Sequence, residues 1–194
     1  KVMGGEGAHG MLVLSPKALN RLESFTPDRP LPKIFRLTKA GKVTLDLFEG
    51  STINTPSLLA VEDHIDALLW AERLGGLEGL IQRSQKNLSV IAKWVENADW
   101  VTFLAESELT RSNTAICLKI IDPRFVALSK DEQGAFVKRL TGSLESEDAA
   151  YDIASYRDAP PGLRIWGGAT VESTDLETLT QWLDWAFEAT LRSL

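Results

Sequence analysis

The pair Gly75-Gly76 separates two long amphipathic patterns, and it is where a helix entering from either side must end or begin. N-terminal to it, Leu58, Val61, Ile65, Leu68 and Leu69 recur at the helical period, while Glu62, Asp63 and Asp66 fall on other faces. C-terminal to it, Leu77, Leu80, Ile81, Leu88, Ile91, Ala92 and Val95 keep one apolar stripe for about five turns. A helix of that length is a natural boundary. Residues 1–75 are therefore read as part of one domain and residues 76–194 as another.

Ahead of the glycine pair, the apolar run Met11–Leu14 is expected as a short buried strand. Ser15-Pro16 combines a capping serine with a first-turn proline and should start a helical turn through Leu19 and Leu22. Pro27, Pro30 and Pro32 forbid regular structure and predict an extended crossing from Thr26 to Lys33. Lys42–Phe48 alternates weakly and reads as a short strand or extended arm, and Thr55-Pro56 is expected to cap and open the first long helix.

Beyond the second long helix, Trp100–Leu104 and Ala115–Ile121 read as strands closed into a hairpin by the polar loop Glu106–Asn113. Ser129-Lys-Asp-Glu132 is a capping box that launches a helix with Phe136, Val137, Leu140 and Leu144. Tyr151–Ala154 and Leu163–Trp166 are short strands on either side of the loop Ser155–Gly162. Thr174-Asp-Leu-Glu177 reads as a second capping box, whose helix turns Leu176, Leu179, Leu183, Ala186 and Phe187 inward. Strands alternating with helices, in a sheet that can be antiparallel, make this half an α+β layer structure.

Of the 194 residues, 44% are hydrophobic and 25% charged, as in a globular chain with one full core or a small domain plus part of another. No apolar run approaches the ~18 residues that span a bilayer, and no leader pattern precedes the body, so a cytoplasmic address is expected. A net charge of −6 argues against nucleic-acid and anionic-membrane partners, which call for a basic face. Any anion must be held by a few placed arginines. Cys117 is the one cysteine, which excludes an intrachain disulfide and suits a buried, inert thiol. His9 and His64 are too few for a histidine-rich metal site, and no Cys/His spacing supports zinc, so no metal is expected. The six tryptophans, Trp166, Trp182 and Trp185 among them, read as core packing rather than a base-stacking platform.

Three stretches could carry chemistry. Lys1 precedes glycines at 4, 5, 7 and 10 and an apolar run, which can bring an amine to the rim of a sheet beside a bound aldehyde; a solvated terminal lysine beside a plain turn explains the same residues. Asn54-Thr55-Pro56 at a helix start would offer free N–H groups and the positive dipole end to a phosphate, or be no more than a cap. Arg164 lies on the apolar strand Leu163-Arg-Ile-Trp166, where a guanidinium needs either a buried carboxylate or a bound anion. His9 and His64 are expected to be structural.

Taken together, Lys1-Val-Met-Gly-Gly-Glu-Gly-Ala-His-Gly10, Ile53-Asn-Thr-Pro-Ser57 and Tyr156-Arg-Asp-Ala-Pro-Pro-Gly-Leu-Arg164-Ile-Trp-Gly-Gly-Ala169 resemble the C-terminal half of phosphoserine aminotransferase, in the branch found in alpha-proteobacteria and some archaea. The resemblance spans essentially the whole chain. It implies an α/β and α+β fold of the fold type I pyridoxal-phosphate transferases: residues 1–75 would be the tail of the large α/β cofactor-binding domain and 76–194 the small C-terminal α+β domain. A chain beginning at Lys1, inside a motif, is then expected to be a fragment, or to be interrupted at a modified residue.

The same resemblance makes pyridoxal 5′-phosphate the cofactor and Lys1 the Schiff-base lysine and catalytic proton carrier. It makes Asn54 and Thr55 ligands of the cofactor phosphate across the interface of a homodimer, so that the active site is shared. Arg164 becomes the clamp for the substrate α-carboxylate, and Arg157 meets the substrate phosphate or the distal carboxylate of 2-oxoglutarate. Where the better-known branch has His-Arg and a shorter loop, this chain has Tyr156-Arg157 followed by Asp-Ala-Pro-Pro-Gly. The implied reaction is amino transfer between O-phospho-L-serine and 2-oxoglutarate, giving 3-phosphohydroxypyruvate and glutamate in serine biosynthesis; the related pyridoxine-biosynthesis step, on 4-phosphohydroxythreonine, stays open. Two other readings are an alanine–glyoxylate type aminotransferase, which has no use for a second cation at Arg157, and a non-catalytic dimerisation module.

Overall fold

A computed structural model describes residues 12–193. The chain divides into two compact units, separated at Trp70 and Ala71. The expectations for Lys1, His9 and the glycines at 4, 5, 7 and 10 lie outside the described residues. Leu12–Leu14, the described part of the first expected strand, is irregular.

In the first unit, α1 (Pro16–Ser24) begins as its sequence signature requires: Ser15 is the N-cap, its hydroxyl accepts from the Ala18 N–H at 3.2 Å, and Pro16 occupies the first turn. The proline-rich segment after it is irregular up to a 3₁₀ turn at Lys33–Phe35. Lys42–Phe48 is not one strand. β1 (Thr38–Lys39) and β2 (Lys42–Val43) form a two-residue hairpin around Ala40 and Gly41, both at positive φ, and Leu45–Phe48 coils into a 3₁₀ turn. The Glu23 carboxylate at the end of α1 accepts from the Val43 N–H at 3.3 Å and ties hairpin to helix.

The helix α2 (Leu58–Arg73) starts three residues after Thr55, which corrects the expected cap. Ser57 performs that role, its hydroxyl accepting from the Ala60 N–H at 3.4 Å. Thr55 and Pro56 lie in the loop ahead of the helix, and the free N–H of its first turn is met by Ser57 instead. The apolar stripe of α2 is largely uncovered among the described residues: Leu58 is 74% exposed, Ile65 43% and Leu68 49%.

After α2 come Gly75 (φ 97°) and Gly76 (φ 65°), both in the left-handed region, which ends one helix at the pair as its composition predicts, and α3 (Gly76–Val95) follows at once. In the second unit β3 (Val101–Phe103), β4 (Ala115–Ile120) and β5 (Gly162–Trp166) make an antiparallel sheet in the order β3-β4-β5. Alternation decides its faces. Val101, Phe103, Ile116, Leu118, Ile120, Leu163 and Ile165 are buried on one side, while Thr102, Cys117, Lys119 and Arg164 stand half-buried on the other.

The buried side packs into one core with α3, α5 (Lys130–Ser146) and α6 (Ser173–Leu191), where Ile91, Phe136, Leu140, Leu144, Leu183 and Phe187 are inaccessible. Trp100 stacks on Phe187 with ring centroids 4.2 Å apart, and the indole N–H groups of Trp94 and Trp100 both donate to the Asp184 carboxylate. These two tryptophans are core and rim, as composition suggested, whereas Trp166 and Trp185, also expected in the core, are exposed.

The helix α5 has its capping box complete, with Ser129 and Glu132 bonded reciprocally, and that bonding to Ser129 holds the Glu132 carboxyl below the ordinary glutamate range. The second expected box does not form. Glu172 stands at the N-cap of α6 without a side-chain cap bond; the polar groups there are engaged by α3, with Arg83 paired to Glu172 and the Ser173 hydroxyl donating to Asn87 Oδ1 at 2.9 Å.

Between β4 and α5, the short α4 (Pro123–Val126) is capped by buried Asp122, which accepts from the Arg124 N–H at 2.8 Å and from its Nε and Nη2 at 3.0 and 2.8 Å. The hydrogen-bonded Arg124 side chain holds the Asp122 carboxyl below the usual aspartate value of 3.8. Because the folded-state pKa is depressed, this contribution is full above 3.8 and is lost as pH falls through the lower folded value. Asp122→Ala is expected to cost about 1 kcal/mol at neutral pH, as for loss of a helix cap. In urea unfolding the variant and the parent should converge in acid; an equal gap at every pH would refute the linkage.

Candidate functional site

The side chains singled out by sequence fall in two places. In the first unit, Asn54 and Thr55 lie exposed in the loop before α2. Lys33, which sequence reading did not single out, donates from Nζ to the Ile53 carbonyl at 2.9 Å and to Asn54 Oδ1 at 3.4 Å. An ammonium, an amide and a hydroxyl thus gather just ahead of the N-terminus of a 16-residue helix. Opposite charge and unfilled N–H groups are what a phosphate requires, so these residues fit that part of a phosphorylated cofactor.

In the second unit, the site is organised by β5. Pro160-Pro161 leads into Gly162, whose backbone lies so close to β4 that an added Cβ would meet the Leu118 carbonyl oxygen at 2.3 Å. That close approach fixes the register in which Arg164 faces Cys117 directly across the strands, both on the side away from the core. Cys117 is half-buried rather than buried.

The preceding segment explains why Arg164 does not sit beside a regular strand. Tyr151–Ala154, expected as a strand, makes only one bridge, Ala154 to Leu163, because Asp152 adopts a left-handed φ of 52° that ends the pleat. Ile153 still accepts from the Arg164 N–H at 2.7 Å, and its side chain anchors the segment in the core. The twist at Asp152 turns both its acceptors toward Arg164. The arginine Nη2 donates to the Asp152 carbonyl at 3.2 Å and to its carboxylate at 3.1 Å.

The Tyr156 ring lies against the same guanidinium, 4.4 Å from its carbon. Arg164 Nε is buried and has no hydrogen-bond acceptor among the described residues. A side chain 17% exposed, packed on an aromatic face and with an unspent N–H, is a cation placed to take an anion. Both readings of Arg164 thus hold in part: it has a carboxylate neighbour, but that carboxylate is 92% exposed rather than buried.

Arg157 is one residue beyond Tyr156, exposed in the turn closed by the Ala159 N–H and the Tyr156 carbonyl at 3.0 Å. Asp152 was missed by sequence reading. The signal was an aspartate at a position where the weak strand pattern 151–154 had to bend, and aspartate tolerates the left-handed region better than most residues. Among the described residues no cluster of His, Cys, Asp or Glu could hold a metal ion, and no helix is long and apolar enough to cross a membrane.

Comparison with known proteins adds a second line. The chain is 56% identical over 188 residues to phosphoserine aminotransferase of Methanosarcina mazei, covering 97% of this chain and 48% of that protein. It is 57% identical over 187 residues to the Methanosarcina barkeri protein of the same name, covering 96% and 48%. The chain therefore spans about half the length of the curated relatives it matches. A solved phosphoserine aminotransferase, studied for radiation damage of its Schiff base, superposes with a TM-score of 0.64 over 89% of this chain and 42% of its own, at 14% identity. The fold is thus that of part of this enzyme's architecture. No family model matches the chain.

Proposed function

We propose that this chain, matched along nearly its whole length to about half of each of two phosphoserine aminotransferases, is the substrate-clamping half of a pyridoxal-phosphate-dependent phosphoserine:2-oxoglutarate aminotransferase of serine biosynthesis. In this reading residues 1–75 complete the large cofactor-binding domain and 76–194 form the small domain. The uncovered apolar stripe of α2 supports a first unit that finishes its core against further polypeptide.

Pyridoxal phosphate, when bound, supplies the electron sink that lets the substrate Cα give up its proton. Lys1 would hold the cofactor through its amine and would carry the proton that leaves the substrate Cα. Asn54 and Thr55 bind the phosphate of the cofactor in the neighbouring subunit of a homodimer, with the Lys33 ammonium beside them adding positive charge. Arg164 takes the substrate α-carboxylate as a fork, and orients Cα for proton removal. Arg157 meets the phosphate of phosphoserine, or the distal carboxylate of glutamate and 2-oxoglutarate. A reducing cytoplasm is the natural compartment for the lone, half-buried Cys117.

The observation that carries this reading is the Arg164 guanidinium, seated on an aromatic face with its buried Nε lacking an acceptor among the described residues. The test is the visible absorbance of the full-length protein reconstituted with pyridoxal phosphate. The band should change on adding phosphoserine and stay unchanged with alanine. A response to alanine alone would replace the substrate while keeping the reaction class, and the absence of any band would leave a dimerisation module.

A further inference from the structure

We propose that Asp152 sets the affinity and selectivity of Arg164 for carboxylates by holding the one guanidinium nitrogen that two-point capture requires. The proposal rests on the reading of Arg164 as the substrate clamp. A guanidinium offers two edges to a carboxylate, Nε with Nη2 and Nη1 with Nη2, so both depend on Nη2. In this structure Nη2 donates at 3.2 Å to the Asp152 carbonyl and at 3.1 Å to its carboxylate, so both acceptors it meets belong to Asp152. An incoming carboxylate can therefore pair as a fork only by displacing one Asp152 acceptor.

The two acceptors differ in freedom. The carbonyl belongs to a backbone held in place by the Ile153 carbonyl, which bonds the Arg164 N–H, and by Ile153 packing. The carboxylate sits on a side chain 92% exposed and can turn into water. Nε, buried and lacking an acceptor among the described residues, supplies the second donor of the edge that displacement would free. Exchange of one carboxylate for another is close to balanced, whereas a neutral amide would have to displace a charged acceptor with a weaker one. Asp152 thereby acts as a resident competitor that ordinary neutral ligands do not remove.

Two substitutions test this in the full-length holoenzyme without straining the backbone. Asp152→Asn keeps the shape and suits the left-handed φ of 52°, and Asp152→Gly removes the acceptor at a position glycine adopts freely. Both should lower KM for glutamate by about two- to fivefold, the modest range set by the exposure of the pair. Both should also narrow the preference for glutamate over its α-amide, a ratio that a purely structural role would not move. An unchanged or raised KM for glutamate in both variants overturns the proposal. Arg164→Lys is measured alongside: if it raises KM while the Asp152 variants do not lower it, only the role of Asp152 fails. If Arg164→Lys leaves KM unchanged, the clamp reading fails, and this proposal with it.

Discussion

Arg164→Lys in the full-length enzyme is expected to lower kcat/KM for glutamate about 30- to 300-fold, equivalent to about 2–3 kcal/mol of lost transition-state binding. The charge is conserved; the loss comes from geometry. Lysine offers a compact ammonium on a flexible stem, whereas the arginine fork meets a carboxylate at two points and its plane rests on the Tyr156 ring 4.4 Å away. Position along the strand matters as well. Arg164 is the middle residue of β5, paired to Cys117 across the sheet and fixed by the Gly162 approach to β4, so the fork is aimed by a rigid element rather than by a loop. Lysine at the same Cα would put a methylene where the buried Nε donor stands, end its ammonium short of the Nη nitrogens, and leave the ring face bare. Because the side chain is on the face away from the core, urea unfolding should change little. A kcat/KM within about threefold of the parent, less than 1 kcal/mol, would remove Arg164 from substrate binding.

How far the sequence foretells this molecule differs between the two units, for a physical reason. In the second unit, local and tertiary preferences agree: the alternation in Ala115–Ile120 and the helical spacing of Phe136, Val137, Leu140 and Leu144 each predict the buried face that is found. Where they disagree, tertiary bonds win. Thr174 and Glu177 have the spacing of a capping box, yet α6 starts at Ser173 because its first turn is bonded to Arg83 and Asn87 of α3, more than eighty residues earlier. No local pattern carries that information. The first unit has a helical period as legible as that of the second but the least burial, since the stripe at Leu58, Ile65 and Leu68 has few partners among the described residues. Periodicity announces that a face will be buried without saying against what.

The candidate site divides in the same way. Arg164 was legible because a charge in an apolar strand is out of place, and Arg157 and the 53–57 loop were legible through the resemblance. Lys33 was not, because its link to Asn54 joins a 3₁₀ turn to a loop twenty-one residues on. Asp152 was hidden by the expectation of a strand at 151–154, whose alternation is too short to reveal that one residue turns left-handed.

The largest effect on stability is expected at Asn87. Its side chain is inaccessible, and Nδ2 lies within hydrogen-bond distance of three carbonyl oxygens, those of Gly167 at 3.1 Å, Gly168 at 3.1 Å and Val171 at 2.9 Å, while Oδ1 accepts from Ser173. One amide therefore satisfies the loop that leaves β5 immediately after the clamp strand and enters α6. Asn87→Ala leaves buried carbonyls without a donor and should destabilise the fold by about 2–4 kcal/mol. Asn87→Asp should be worse at neutral pH, about 4 kcal/mol or more, because it sets an unpaired carboxylate among carbonyl oxygens. The two variants separate by pH. Burial raises the folded-state pKa of the introduced carboxyl above its unfolded value, so its penalty is full above the folded pKa and fades as pH falls toward the unfolded one. Once protonated, it again has a proton to donate to a carbonyl, which alanine never has. Urea unfolding of the Asp variant, followed by tryptophan fluorescence, should thus show a deficit that shrinks on acidification, and that of the Ala variant one that does not. If Asn87→Asp matched the parent at neutral pH, or lost further ground in acid, the loop would be held by something other than this amide, and the path from α3 to the Arg164 strand would have to be redrawn.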